Sequence, residues 1–145
     1  MRIADVLRSK GSAVATVAPE TTVRQLLARL AEHNIGAVVV VEEGTEAPPA
    51  GIVSERDVVR RLHEQGAGLL DRPVSEIMTT SVVTCGPDDT VDSLTITMTE
   101  GRFRHLPVLD GGRLVGIVSI GDVVKSRISQ LEHDHQQLEA YITGG

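Results

Sequence analysis

The chain repeats itself, and that constrains its fold more than any other feature. Residues 14–23 read VATVAPETTV and residues 82–91 read VVTCGPDDTV, a match 68 positions apart that sets Pro19 opposite Pro87 and Thr22 opposite Thr90. Residues 51–59, GIVSERDVV, match residues 116–124, GIVSIGDVV, at a spacing of 65. The difference falls in residues 42–50, EEGTEAPPA, a Pro-bearing stretch longer than its counterpart around Asp110, Gly111 and Gly112; surface loops absorb insertions at little cost. A duplicated chain builds one supersecondary unit twice. Each half, at about 70 residues, buries too little surface to be comfortable alone, so the two must cover each other.

Both halves predict the same order of elements. Strands at 14–17 and 82–84 end in the Pro-bearing turns. Helices follow at 23–33, where Val23, Leu26, Leu27, Leu30 and Ala31 recur at helical spacing, and less cleanly at 91–98. Thr21 or Thr22, and Asp89 or Thr90, suit their N-caps. The β-branched run 37–41 and its partner 104–109 predict central strands, with further strands at 51–53 and 114–118. Gly111-Gly112 predicts a tight hairpin. Helices resume around Asp57 and Asp122. The expectation is an α/β fold of two tandem β-α-β-β-α subdomains about a pseudo-twofold axis, each preceded by a short helical piece at 3–7 or 74–78. The boundaries expected are a first domain at 1–65, a linker at 66–73, a second domain at 74–128 and a helical extension at 129–145. In that longer C-terminal helix Ile128, Leu131, Leu138 and Ile142 fall near one stripe, broken at His135. Such a stripe suits packing on another subunit, or else belongs to a frayed, solvated tail.

Charge and composition narrow the function. Twenty acidic against 14 basic residues give a net charge of −6, which argues against nucleic acid or an anionic membrane as partner. No stretch approaches the roughly 20 apolar residues that span a bilayer. The single cysteine, Cys85, permits no internal disulfide, and with no secretory pattern at the start the expected setting is the cytoplasm. Cys85 stands opposite Val17, so it reads as a small buried hydrophobe.

Candidate ligand contacts are duplicated too. Ser54 and Asp57 follow a strand three residues apart at a helix start, and Ser119 and Asp122 repeat them. Backbone amides and a serine hydroxyl suit a phosphate oxygen there, and a carboxylate suits a vicinal diol. The same Ser-x-x-Asp spacing is also a helix-capping arrangement that needs no ligand. The halves differ around it. Arg56 in the first motif is matched by Gly121 in the second, whereas Arg102, Phe103, Arg104 and His105 are matched by Asn34, Ile35, Gly36 and Ala37. Arg102, Arg104, Arg56 and Lys10 are therefore candidates for phosphate, against ordinary surface charge. An apolar slot for a base would come from the first strands and turns, beginning at Thr16 and Thr84, and from Ala37, Val38, His105 and Leu106. No nucleophile–base spacing, dinucleotide fingerprint or phosphate-binding loop stands out. His133 and His135, two apart on a helix, do not face each other. Catalysis, a catalytic cofactor and a metal site are not expected.

The doubled Gly-Ile-Val-Ser-x-x-Asp-Val-Val, with His105-Leu106-Pro107-Val108-Leu109-Asp110 before the second copy, resembles the CBS domain over nearly the whole chain, from Ile3 to about Ile128. The resemblance implies a stand-alone tandem pair, or Bateman module, with two clefts between its halves that bind adenine nucleotides or adenosyl compounds: AMP, ADP, ATP, NAD(H) or S-adenosylmethionine. It implies that the Ser positions contact phosphate and the Asp positions contact ribose, Ser54 with Asp57 in one site and Ser119 with Asp122 in the other. It also implies a homodimer, or a higher homo-oligomer, signalling to a protein partner. The rival expectation is a ligand-free assembly or protein-interaction module.

Overall fold

A computed structural model describes residues 1–11, 14–42 and 48–144. The long loop that absorbs the change in repeat spacing lies largely outside the described residues. Helix α1 (Ile3–Lys10) leads into strand β1 (Thr16–Val17), helix α2 (Val23–His33), strands β2 (Ala37–Val40) and β3 (Gly51–Ser54) and helix α3 (Glu55–Gln65). After two 3-10 turns, Gly66–Asp71 and Val74–Glu76, come helix α4 (Val91–Gly101), strands β4 (His105–Asp110) and β5 (Arg113–Ser119), and helix α5 (Ile120–Gly144).

Local chemistry explains most of these boundaries. Thr22 caps α2 by accepting from the Gln25 amide while Gln25 reaches back to the Thr22 amide, and Thr90 accepts from the Ser93 amide at the start of α4. Asn34 ends α2 in the left-handed conformation. Gly111 and Gly112 both take positive φ, 59° and 84°, which turns β4 tightly into β5.

In the first half β2 lies between β1, in parallel, and β3, antiparallel. The second half pairs β4 with β5 antiparallel, but its expected strand at 82–84 is absent, reduced to a single parallel bridge of Cys85 to Val108. Proline is the reason. The Cys85 amide donates to the Pro107 carbonyl and the Leu109 amide donates to the Cys85 carbonyl. The next donor on that edge, two residues before Leu109, would be residue 107, and proline has no N–H to extend the ladder.

The core is divided in a way the repeat does not suggest. One cluster joins Val17, Val23, Leu26, Leu30, Val38, Val40, Val53 and Val58 with Leu69, Val74 and Ile77; the other joins Cys85, Val91, Leu94, Met98, Leu106, Val108, Val118 and Val123 with Ile3, Val6 and Leu7. The leading segments are exchanged: α1 completes the second half, while Leu69 of the expected linker and Val74 and Ile77 of the piece expected to lead the second half complete the first. Matching hydrogen bonds hold both. Ile3 and Ala4 amides donate to Asp89 and Pro87 carbonyls, and Val74 and Ser75 amides donate to Thr21 and Pro19 carbonyls. Ile3, Leu69 and Val74 are fully buried, each contributing about 1.5–3 kcal/mol of apolar burial. The repeated glycine of Gly-Ile-Val-Ser is where the exchanged segment passes. A Cβ on Gly116 would lie 2.6 Å from Leu7 Cδ2, and one on Gly51 would lie 2.7 Å from Met78 Sδ and 2.8 Å from the Thr79 carbonyl oxygen.

The end of α5 carries its apolar residues into solvent. Ile128, Leu131, Leu138, Tyr141 and Ile142 are all more than half exposed. Among the described residues, no helix is long and apolar enough to cross a membrane.

Candidate functional site

Gly36, Ala37 and His105, where the two central strands begin, line two clefts between the halves. A Cβ on Gly36 would come 3.4 Å from Glu55 Oε1 and 3.7 Å from His105 Cε1, so the backbone there lies close against both side chains.

The first cleft, of about 580 Å³, is walled by Ser119 and Asp122 of the second half and by Lys10, Val14, Ala15, Arg29, His33 and Asn34 of the first. Here α5 begins directly after β5. The Asp122 amide donates to Ser119 Oγ at 3.1 Å and the Ser119 amide donates to Asp122 Oδ2 at 2.9 Å, so the motif is a complete capping box. Lys10 Nζ, on the exchanged α1, donates to the same Asp122 Oδ2 at 2.5 Å and to the Ile117 carbonyl at 2.8 Å. Burial works to raise the Asp122 pKa. The hydrogen bonds from Lys10 and Ser119, with the Lys10 charge, outweigh it and hold the carboxyl below the ordinary carboxylate value.

The second cleft, of about 800 Å³, is walled by Ser54, Asp57, Arg56, Arg60 and Glu55 of the first half and by Ser81, Val82, Val83, Arg102, Phe103 and Arg104 of the second. Ser54 caps α3. Its amide and Oγ donate to Asp57 Oδ2 at 2.8 and 3.0 Å, and the Asp57 amide donates back to Ser54 Oγ at 3.3 Å. Position 81 stands where Lys10 does in the other half, and a serine there puts no ammonium on Asp57. His105, between the clefts, has its pKa lowered by burial first and then by the Lys10 charge, with Asp122 and Glu55 pulling the other way.

The structure therefore gathers Lys10, His105, Ser119 and Asp122 in one cleft and Ser54, Arg56, Asp57, Arg104 and His105 in the other. Thr16 and Thr84 are not among the residues that line either cleft. Thr16 lies on a shallow groove with Ala18, Thr21 and Gln25, and its carbonyl accepts from Arg29 Nη2 at 3.2 Å. Val14 and Ala15, and Val82 and Val83, take the expected places because the chain enters each half from across the interface. Arg29, His33, Arg60 and Ser81 were not legible as site residues. Only their positions in space mark them. Cys85 is buried, and burial together with the Asp89 charge pushes its thiol pKa up to about 12.

Each cleft thus offers backbone amides at a helix start, a capped serine, a carboxylate with one oxygen outside the capping bonds, and cations contributed from the opposite half. That set can bind an anionic group and a diol together. Among the described residues, no group of three or more His, Cys, Asp or Glu side chains is placed to hold a metal ion.

Comparison with known proteins gives this arrangement its relatives. The sequence model of the CBS domain matches twice, at residues 3–64 and 74–129. The chain is 36% identical over 149 aligned residues, covering 99% of its own length and 72% of the relative's, to the CBS domain-containing protein CBSX3, mitochondrial, of Arabidopsis thaliana. The crystal structure of a CBS-domain containing protein from Agrobacterium tumefaciens superposes with a TM-score of 0.83 at 46% identity, covering 88% of this chain and 99% of that one. The CBS domain pair of protein MJ0100, solved in complex with 5-methylthioadenosine and S-adenosyl-L-methionine, superposes with a TM-score of 0.77 at 25% identity over 90% of this chain and 98% of that one.

Proposed function

Since this chain belongs to the CBS-domain family and carries two copies in tandem, a non-catalytic regulatory fold, we propose that its two interfacial clefts bind an adenine nucleotide or adenosyl ligand and signal its presence. The observation that carries the reading is the construction of the clefts. Each takes its Ser-x-x-Asp helix start from one half and its basic residues partly from the other, so an occupant bridges the halves. A ligand that makes contacts on both sides binds the closed arrangement more tightly than the open one, and that difference is what shifts the population. The adenosyl ligands of the MJ0100 pair support the ligand class. AMP, ADP, ATP, NAD(H) and S-adenosylmethionine all carry the diol and adenine the site suits.

The signal passes through conformation or assembly. The apolar residues exposed along α5 favour a homodimer in which these helices pack on each other, in a soluble protein of the cytoplasm.

Thermal unfolding against adenosine, AMP, ADP, ATP, NADH and S-adenosylmethionine tests the reading. A concentration-dependent rise in Tm with one of them, lost in Asp57→Ala or Asp122→Ala, is the expected result. No rise with any, up to about a millimolar, would leave the clefts without a ligand role and favour the rival, an assembly module.

A further inference from the structure

The clefts are unequal in charge. The larger draws Arg56 and Arg60 from α3 and Arg102 and Arg104 from the approach to β4, against Glu55 and Asp57; the smaller has Lys10 and Arg29 against Asp122, and its lysine is already paired with that aspartate. None of the four arginine side chains of the larger cleft makes an ion pair or hydrogen bond with the described residues. Guanidinium groups brought to one opening from both halves, with no carboxylate partner among the described residues, are matched by phosphate oxygens, which they bind in bidentate fashion.

Arg102 adds an independent observation. Among the described residues, only two other than glycine have positive φ: Asn34, at 52°, and Arg102, at 57°. They occupy the same place in the two repeats, the C-cap of α2 and of α4. Asparagine enters the left-handed region readily, whereas arginine is strained there. The second half thus keeps an unfavourable residue at a position where the first half uses a favourable one, and the residue it keeps lines the larger cleft.

We propose that the larger cleft selects a nucleoside di- or triphosphate over its nucleoside, and that Arg102 is a specificity-determining residue held in a strained backbone conformation to reach the phosphates from the opposite half. Arg56, beside Ser54 on α3, meets the same phosphates from the other wall. This rests on the nucleotide-binding reading above and goes beyond it by naming the ligand class, the cleft and the residue.

The test replaces Arg102 by the residue its sister repeat uses, Arg102→Asn, and measures ATP and adenosine binding by calorimetry in EDTA at low salt. The unliganded variant is expected to melt about 2–3 °C higher, as relief of a left-handed residue predicts. Its ATP affinity falls about tenfold, the size of one lost charge-assisted hydrogen bond, while adenosine affinity stays within about twofold. Arg102→Lys, which keeps the charge and loses the bidentate fork, falls between. Equal loss of ATP and adenosine binding would make Arg102 structural and overturn the proposal, as would unchanged ATP affinity or a wild-type protein that binds ATP no tighter than adenosine. A wild-type protein that binds neither overturns the nucleotide reading itself, a result distinct from all of these.

Discussion

Replacing Gly51 by alanine should destabilise the protein more than the same change at Gly116, although the two glycines are equivalent in sequence. An added Cβ at Gly51 meets Met78 Sδ at 2.7 Å and the Thr79 carbonyl oxygen at 2.8 Å, whereas at Gly116 its three nearest atoms are all Leu7 side-chain carbons, the nearest being Cδ2 at 2.6 Å. A methionine or leucine side chain can swing away. The Thr79 carbonyl cannot, because it accepts from the Ile52 amide at 3.0 Å while the Thr79 amide donates to the Ile52 carbonyl at 2.9 Å. Overpacking against backbone costs about 1–3 kcal/mol, and straining that bridge adds up to about 1 kcal/mol. Alanine recovers about 0.4–1 kcal/mol through the unfolded chain. The net for Gly51→Ala is a loss of about 1–3 kcal/mol, or roughly 3–10 °C in Tm for a chain of this size. Gly116→Ala should lose about 1 kcal/mol or less. Equilibrium urea unfolding of both variants, each also combined with truncation of the facing side chain, decides it. Met78→Ala should not rescue Gly51→Ala, while Leu7→Ala should interact with Gly116→Ala strongly enough that the pair costs less than the sum. Full rescue at Gly51, or a larger loss at Gly116, would refute the backbone-clash reasoning.

Other outcomes follow from the same geometry. A fragment of residues 1–65 should be largely unfolded by circular dichroism, because it lacks the buried Leu69, Val74 and Ile77 of its core; a fragment of residues 11–81, which has them, should retain more helix, and the reverse order would contradict the exchange of leading segments. The Cys85 thiol, buried with its pKa near 12, should resist Ellman's reagent in the native protein at pH 8 and react on unfolding. His105 has a folded pKa below its ordinary 6.5, so the unfolded chain takes up the proton first. Stability should fall as the pH drops below about 6.5, and His105→Gln should flatten that decline in urea titrations. Asp122 also has a lowered pKa, relative to an ordinary 3.8. Its contribution is fully present above that value and is lost as the pH falls through the folded one, so Asp122→Asn should remove part of the acid sensitivity below about pH 4.

Much of the candidate site could be read from the residues because it is made of local chemistry. Ser54 with Asp57 and Ser119 with Asp122 close capping boxes inside single turns, so their spacing announces their geometry. Arg104 and His105 enter from strand ends whose place the repeat predicts. Thr16 and Thr84 fall outside both clefts, and strand periodicity alone could not place them because it does not say where the chain comes from. Since each half is entered from the other, residues 14–15 and 82–83 meet the clefts. Arg29, His33 and Arg60 sit on polar faces of helices, where a cleft residue and a solvated one look alike.

The sequence by itself determined the duplicated order of elements, apart from the strand expected at 82–84, together with the helix caps, the glycine turn and the likeness of the two motifs, since each depends on residues close in the chain. It determined the charge inequality of the two motifs as well. Only the tertiary structure decided which core each leading segment completes. Both cores are built of the same aliphatic residues, and an amphipathic helix carries a record of its apolar face but not of the surface that will cover it. From that exchange come the pairing of Lys10 with Asp122 across 112 positions, the need for glycine at 51 and 116, and clefts whose walls belong to both halves.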